Sequence, residues 1–151
     1  MAMMRTMGLD VGSKNIGVAI SDELGITGQS VATLRRSSLR ADLAALRALI
    51  GQHAVSRAVV GLPLNMDGSE GPMAQASREF GNALSKDAGI PVEYWDERLS
   101  TVAAERVLLE ADVSRRKRRE VVDRIAAAII LQGWLDAHRM AGGGNPDCEV
   151  E

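Results

Sequence analysis

Two strand-length apolar runs, residues 4–11 and 15–22, are separated only by Gly12-Ser13-Lys14. So short a connector, opening on glycine, turns the chain tightly and leaves no room for a crossover helix. The chain must therefore begin with two adjacent sheet strands. Gln29 to Leu34, entered through Gly25 and Gly28, predicts a third strand, and three sequential strands can form a meander. The period then changes. Leu39, Leu43, Leu46, Leu49 and Ile50 recur at helical spacing up to about His53. Arg57 to Leu62 holds the apolar run Ala58-Val59-Val60, a buried strand, and Pro63 to Gly71 is a Gly/Pro/Asn loop. Pro72 suits the first turn of a helix running to about Ala88, and Pro91 to Asp96 is a fifth strand. Ser100 is expected to cap a helix to about Ala111. Val122, Ile125, Ala126, Ile129, Ile130 and Gly133 mark one face of a last helix ending near Met140. The order β-β-β-α-β-α-β-α-α is that of an α/β domain over residues 1–140, its later strands parallel to the first. Residues 141–151, with Gly142-Gly143-Gly144 and an acidic end, read as a disordered tail.

Aromatics make up 3% of the chain, so its core must come from Ala, Leu, Val and Ile. The single cysteine, Cys148, excludes an internal disulfide and suits a reducing cytoplasm. No apolar run approaches the roughly 18 residues of a membrane helix, and the first residues are not built like a signal peptide. The expectation is a soluble, cytoplasmic protein without a membrane partner. A net charge of −2 argues against a polyanionic partner until the distribution is considered. Arg115, Arg116, Lys117, Arg118 and Arg119 are consecutive cations, and the other 13 of the 18 basic residues face 20 acidic ones. Such concentration suits phosphate contact, in which neutralised phosphates release counterions. A solvated, mobile charged stretch explains it as well.

In open α/β sheets functional groups gather at the carboxyl ends of strands. Asp10 stands near the end of the first strand and Glu97 at the end of the fifth, beside Asp96. Thr6, Gly8, Asp10 and Gly12 share one face of the first strand, so small residues surround Asp10 and another element can come close. Asp123, with Ala126 and Ala127 three and four positions on, lets the last helix approach the sheet with its acid turned inward. Crowded carboxylates lose their charge unless a cation compensates, and hard oxygen ligands favour Mg²⁺ or Mn²⁺. With only His53 and His138 and no Cys/His cluster, zinc does not fit. Paired divalent ions on acidic side chains suit phosphodiester cleavage. A turn residue, an ion pair with Arg98 and a helix cap would account for the same three acids one by one.

Four stretches together resemble the YqgF/RuvX family of pre-16S rRNA nucleases, also described as Holliday-junction-resolvase-like. They are Gly-Leu-Asp-Val-Gly-Ser-Lys-Asn-Ile-Gly-Val-Ala-Ile-Ser-Asp (8–22), Val-Val-Gly-Leu-Pro-Leu-Asn-Met-Asp-Gly-Ser-Glu-Gly-Pro (59–72), Trp-Asp-Glu-Arg-Leu-Ser-Thr (95–101) and Val-Asp-Arg-Ile-Ala-Ala-Ala-Ile-Ile-Leu (122–131). The resemblance implies an RNase H-like fold with a five-stranded mixed sheet and flanking helices. It implies that Asp10, Glu97 and Asp123 are catalytic and hold Mg²⁺ or Mn²⁺, with Asp96 an alternative to Glu97. It also implies processing of small-subunit rRNA precursor, cleavage of branched DNA, or both. Lys14, Asn65, Arg98 and the segment Arg115, Arg116, Lys117, Arg118, Arg119 are the candidate nucleic-acid contacts, the last as a flexible arm. Each has a structural counterpart: an exposed turn lysine, a loop brace, an ion pair. Trp95 and Trp134 are read as core, and assembly as a homodimer is left open.

Two rival classes remain. Asp-Val-Gly-Ser-Lys-Asn-Ile-Gly-Val-Ala resembles the first phosphate loop of actin-like sugar and acetate kinases, but those close two such domains over ATP, and no Walker motif is present. A non-catalytic nucleic-acid-binding module of the same fold would have no need of three carboxylates beside phosphate.

Overall fold

The computed structural model describes residues 5–100 and 115–143, with side chains in the last segment described at 125–139. Strands β1 (Arg5–Val11), β2 (Asn15–Ser21) and β3 (Gly28–Arg35) form the antiparallel meander. Strand β4 (Val55–Leu62) pairs parallel to β1, and β5 (Val92–Asp96) pairs parallel to β4. The sheet is five-stranded and mixed, in the order β3-β2-β1-β4-β5.

Helices α1 (Leu39–His53) and α2 (Pro72–Ala88) bury their apolar faces on one side of the sheet. That core joins Met7, Leu9, Val11, Ile16, Val18 and Ile20 with Leu43, Leu46, Phe80 and Leu84. Ser38 caps α1 by accepting from the Ala41 N–H at 3.1 Å, which satisfies one of the helix's orphan donors. Ala54, in the left-handed region at φ 54°, stops α1, so β4 starts at Val55, two residues before the apolar run alone predicts. Pro72 stands in the first turn of α2, as its fixed φ favours.

The last helix, α3 (Arg115–Gly143), covers the opposite face. Its Ala126, Ala127, Ile130, Leu131, Trp134 and Leu135 pack with Ala19 and Val59 in a second core. The Gln132 carboxamide ties the helix to the β2–β3 hairpin, accepting from Gly28 N at 3.0 Å and donating to Ile26 O at 2.8 Å.

Two expectations change here. The cations 115–119 form the first turns of α3 and are not a flexible arm preceding it. Arg and Lys are good helix formers, so a charged run need not interrupt a helix even where the apolar period is lost. At the other end α3 runs to Gly143, past the boundary expected near Met140. Residues 144–151, and with them Cys148, lie outside the described residues, as does most of the helix expected between Ser100 and Ala111. Ser100 itself closes a short 3-10 turn, Glu97–Leu99, its N–H and Oγ both donating to Glu97 O.

Candidate functional site

The carboxyl ends of β1, β4 and β5 bring two acids to the face covered by α3. Asp10 lies opposite Gly17 in the β1–β2 ladder and two residues beyond Gly8, so it shares the α3 face with Gly8. Gly8 is registered with Val59 of β4, which makes Gly61 the next position beside Asp10 on that face. Glu97 leaves β5 one residue past the Asp96–Leu62 pair and folds back in the 3-10 turn. Its Oε2 lies 2.8 Å from where a Cβ on Gly61 would stand. Glycine at 61 is thus what admits the Glu97 carboxylate to the sheet surface beside Asp10.

Both acids are enclosed, Asp10 5% exposed and Glu97 7%. Two neighbouring carboxylates removed from water repel unless protonated, hydrogen-bonded or compensated by a cation. The set suits a hard divalent ion, because its donors are carboxylate oxygens.

Asp123 is placed in α3 by its backbone; its side chain lies outside those described. The course of α3 shows where the helix carries it. Trp134 lies by Arg57 and Glu93, Ile130 by Gly61, and Leu131 and Ala127 by Gly8, so the helix runs from the carboxyl ends of β1 and β4 toward their amino ends. Residue 123, one turn before Ala127, is displaced about 5 Å further toward the end that bears Asp10. Residues 115–119 lie further along the same direction, their side chains also outside those described. Among the described residues no group of three or more acids, histidines and cysteines gathers around one point.

Asp96 and Glu97 separate cleanly. Asp96 accepts from the Arg98 guanidinium at 2.7 Å and 3.1 Å and from the Arg98 N–H at 2.9 Å, while Glu97 is the buried one of the two. Strand parity does not distinguish them; the turn that begins at Glu97 gives the two acids different surroundings.

Arg98 is committed as a strap. Besides Asp96 it donates to Met66 O at 3.2 Å, and its guanidinium sits 3.5 Å from a would-be Cβ on Gly68. It thereby ties the loop between β4 and α2 to the end of β5. Within that loop Asn65 Nδ2 donates to Ser69 Oγ at 2.9 Å, and Asp67 accepts from the Ser69 N–H and Oγ. The Asn65 amide nitrogen therefore braces the loop. Met66, 94% exposed, is held at its tip.

The strap carries a pH dependence. The Asp96 carboxyl is held below its ordinary value of 3.8, chiefly by the side-chain hydrogen bond from Arg98. Because the folded value is depressed, this stabilisation is fully present above pH 3.8 and fades as pH falls through the lowered value. Protection of the amides across residues 64–69, taken relative to the intrinsic exchange rate at each pH, is expected to fall on that acidification, and Arg98→Ala should lower it already at neutral pH. The pair is partly open to solvent, so the effect should be local and salt-sensitive. Exchange unchanged in the Arg98→Ala variant would show that the loop holds itself.

Lys14 is exposed on the β1–β2 turn, where a phosphate could meet it. Trp134 is 5% exposed and stacks on His138 at 3.8 Å, and Trp95 packs against Gly133, so both tryptophans are packing residues. The residues that sequence reasoning missed are Arg36 and Asp42, joined at 3.0 Å behind the β1–β2 turn. A charged residue at the start of an amphipathic helix reads as solvated, so nothing in the pattern marked Asp42 as 4% exposed.

Residues 4–137 match the model of the RuvX family, described as Holliday junction resolvase. The chain belongs to that family. It is 66% identical over 136 residues, 90% of either chain, to a relative from Myxococcus xanthus provisionally named pre-16S rRNA nuclease. A Moorella thermoacetica relative of the same name is 60% identical over 88% of this chain and 95% of its own. Among solved structures, Thermus thermophilus RuvC in complex with Holliday junction substrate aligns with TM-score 0.57 and 14% identity, over 91% of this chain and 96% of that one. The fowlpox virus resolvase with its Holliday junction DNA gives TM-score 0.51 at 10% identity, over 89% and 98%. These likenesses establish the RNase H-like fold, and family membership makes this RuvX chain a nuclease hydrolysing phosphodiester bonds. No described helix is long and apolar enough to cross a membrane.

Proposed function

We propose that this RuvX chain cleaves the phosphodiester backbone of small-subunit rRNA precursor, using divalent metal held by Asp10, Glu97 and Asp123. The observation that carries the reading is the pair of enclosed carboxylates, Asp10 and Glu97, on adjoining positions of one sheet face. The substrate is taken from the names of relatives more than half identical to this chain. Action on branched DNA is the second reading, favoured by the family description and by the two resolvase structures that share the fold. Ribosomal processing would place the protein in the cytoplasm.

A bound Mg²⁺ or Mn²⁺ would supply Lewis-acid stabilisation of charge on the phosphorane oxygens. The chain's own residues do the rest. Asp10 is fixed by the β1–β2 ladder and Glu97 by its 3-10 turn, so neither carboxylate need be reordered when substrate arrives. Helix α3 and the core beneath it keep bulk water from the sheet face on which both stand. Lys14 and the cations 115–119 border the same end and would meet phosphates flanking the scissile one, which fixes position without reading sequence. The Arg98 strap holds the loop 64–69 beside them.

The deciding experiment presents purified protein with single-stranded precursor RNA, duplex and four-way DNA junction. Cleavage is expected only with Mg²⁺ or Mn²⁺, to vanish with chelator and to return on adding either ion. Preferential cleavage of the precursor RNA supports the first reading and of the junction the second. Cleavage of none of them, or cleavage that persists in chelator, would overturn the proposal.

A further inference from the structure

The β1–β2 turn that follows Asp10 is held from behind by one residue. Arg36 follows the last residue of β3 and reaches back: its backbone N–H donates to Lys14 O at 2.8 Å, and its side-chain Nη1 donates to Gly12 O at 2.9 Å. The same guanidinium donates through Nε to Asp42 Oδ2 at 3.0 Å and lies 5.2 Å from the Phe80 ring centroid. Asp42 is 4% exposed and is itself aimed by Ser37 N–H, which donates to its other oxygen at 3.1 Å. Across the turn, Gly12 N–H donates to Asn15 O at 2.9 Å. The carbonyls at both ends of Gly12-Ser13-Lys14 thus point at Arg36, which α1 and α2 hold rigid.

That arrangement has a consequence for the outer side of the turn. In a trans peptide the C=O and the next N–H point in opposite directions. With Gly12 C=O turned in toward Arg36, the Ser13 N–H is turned away from it, on a residue that is exposed, as Lys14 is. An outward backbone N–H beside an ammonium is a donor pair suited to a phosphate oxygen. Its members stand three and four residues from Asp10.

We infer that Arg36 is a positioning residue for substrate. Buttressed by Asp42 and Phe80, it sets the Gly12-Ser13-Lys14 turn so that Ser13 N–H and Lys14 meet a phosphodiester next to the one cleaved. The inference rests on the nuclease reading of Asp10 and Glu97 and adds a residue that touches neither acid nor substrate. A residue acting through the turn governs substrate affinity, whereas one that only stabilises the fold governs the fraction of active protein.

Steady-state cleavage of precursor RNA and of the four-way junction, with Mn²⁺ saturating, separates the two. Arg36→Met keeps an unbranched side chain near Phe80 and removes the guanidinium donors; it is expected to raise KM about tenfold with kcat within about threefold. Lys14→Ala should do the same. Because both act through one turn, the double variant should be no worse than the poorer single by more than about twofold. Asp42→Asn, which loosens the guanidinium, should move KM in the same direction by less. If Arg36→Met does not fold, Arg36→Lys serves in its place, since an ammonium cannot reproduce the planar fork; its KM should rise by about threefold. Effects of Arg36 and Lys14 that multiply independently, a loss confined to kcat, or unchanged KM in Asp42→Asn and Arg36→Lys would each overturn the inference. Wild-type protein that cleaves neither substrate would instead bring down the nuclease reading beneath it.

Discussion

Glu97→Gln is expected to lower cleavage by about 10³-fold, and Asp10→Asn by as much, while Asp96→Asn stays within about tenfold of the parent. The three substitutions remove the same charge from neighbouring places, and the structure says that the places differ. Asp10 and Glu97 are enclosed on the α3 face, where a carboxylate can meet a cation with little competition from water. Asp96 is spent on Arg98 and the loop. Removing it should raise KM, through a loosened Met66 loop, more than it lowers kcat. The thermal midpoint supplies the second half of the test. Glu97→Gln and Asp10→Asn keep the size of each side chain and its capacity to hydrogen-bond, so both should stay folded and melt in chelator close to the parent. Added Mn²⁺ should raise the parent's midpoint and not theirs, because only a state that binds metal is stabilised by it. If Asp96→Asn proves the most damaging of the three, the assignment of the acids is wrong. If all three melt early, the acids are structural.

How far the sequence anticipated this arrangement depended on the range of the interaction. Local, periodic signals were legible. The three-residue connector gave the hairpin, Pro72 the start of α2, and alternation along β1 the small-residue face beneath Asp10. The meander and the parallel later strands followed because short connections allow few topologies, whereas the order in which β4 and β5 join came only with the structure. What could not be read were contacts between elements far apart in the chain. Gln132 reaching Ile26 O, Arg36 reaching Gly12 O, and Arg98 reaching Met66 O are each single polar side chains without periodicity. Strand parity left Asp96 and Glu97 undistinguished for a related reason. Parity along an extended strand is undefined once the backbone leaves it, and the 3-10 turn begins at Glu97. The cations 115–119 were misread because a run without apolar spacing has no helical signature even when its residues are good helix formers. Family resemblance proposed the acids; the sheet register explains why Asp10 and Glu97 can share one face.

Gly8→Ala should be among the most damaging single-methyl additions the chain can suffer. A Cβ at residue 8 would stand 2.6 Å from Leu131 Cβ, 3.0 Å from Ala127 O and 3.3 Å from Leu131 Cα. These are backbone and first side-chain atoms of α3, so no rotamer change relieves the contact and the helix itself must shift. Overpacking of this kind costs about 1–3 kcal/mol. Gly51→Ala makes the opposite case, because a Cβ there meets nothing within 4 Å and the residue lies in α1. In an exposed helix that change is expected to stabilise by about 0.5–1 kcal/mol. The pair therefore brackets the fold with the same chemical change. The sharper expectation concerns activity. Helix α3 meets Gly8 directly and carries residue 123 one turn beyond that contact, so lifting it moves Asp123, the proposed third ligand, while β1 and the 3-10 turn hold Asp10 and Glu97. Gly8→Ala should thus lose Mn²⁺ affinity and kcat beyond what its unfolded fraction explains, measured well below its melting temperature. Leu84→Ala, truncated in the opposite core, should melt early too yet keep metal affinity in its folded fraction. Equal losses in the two variants would mean that the position of α3 over Gly8 serves stability alone.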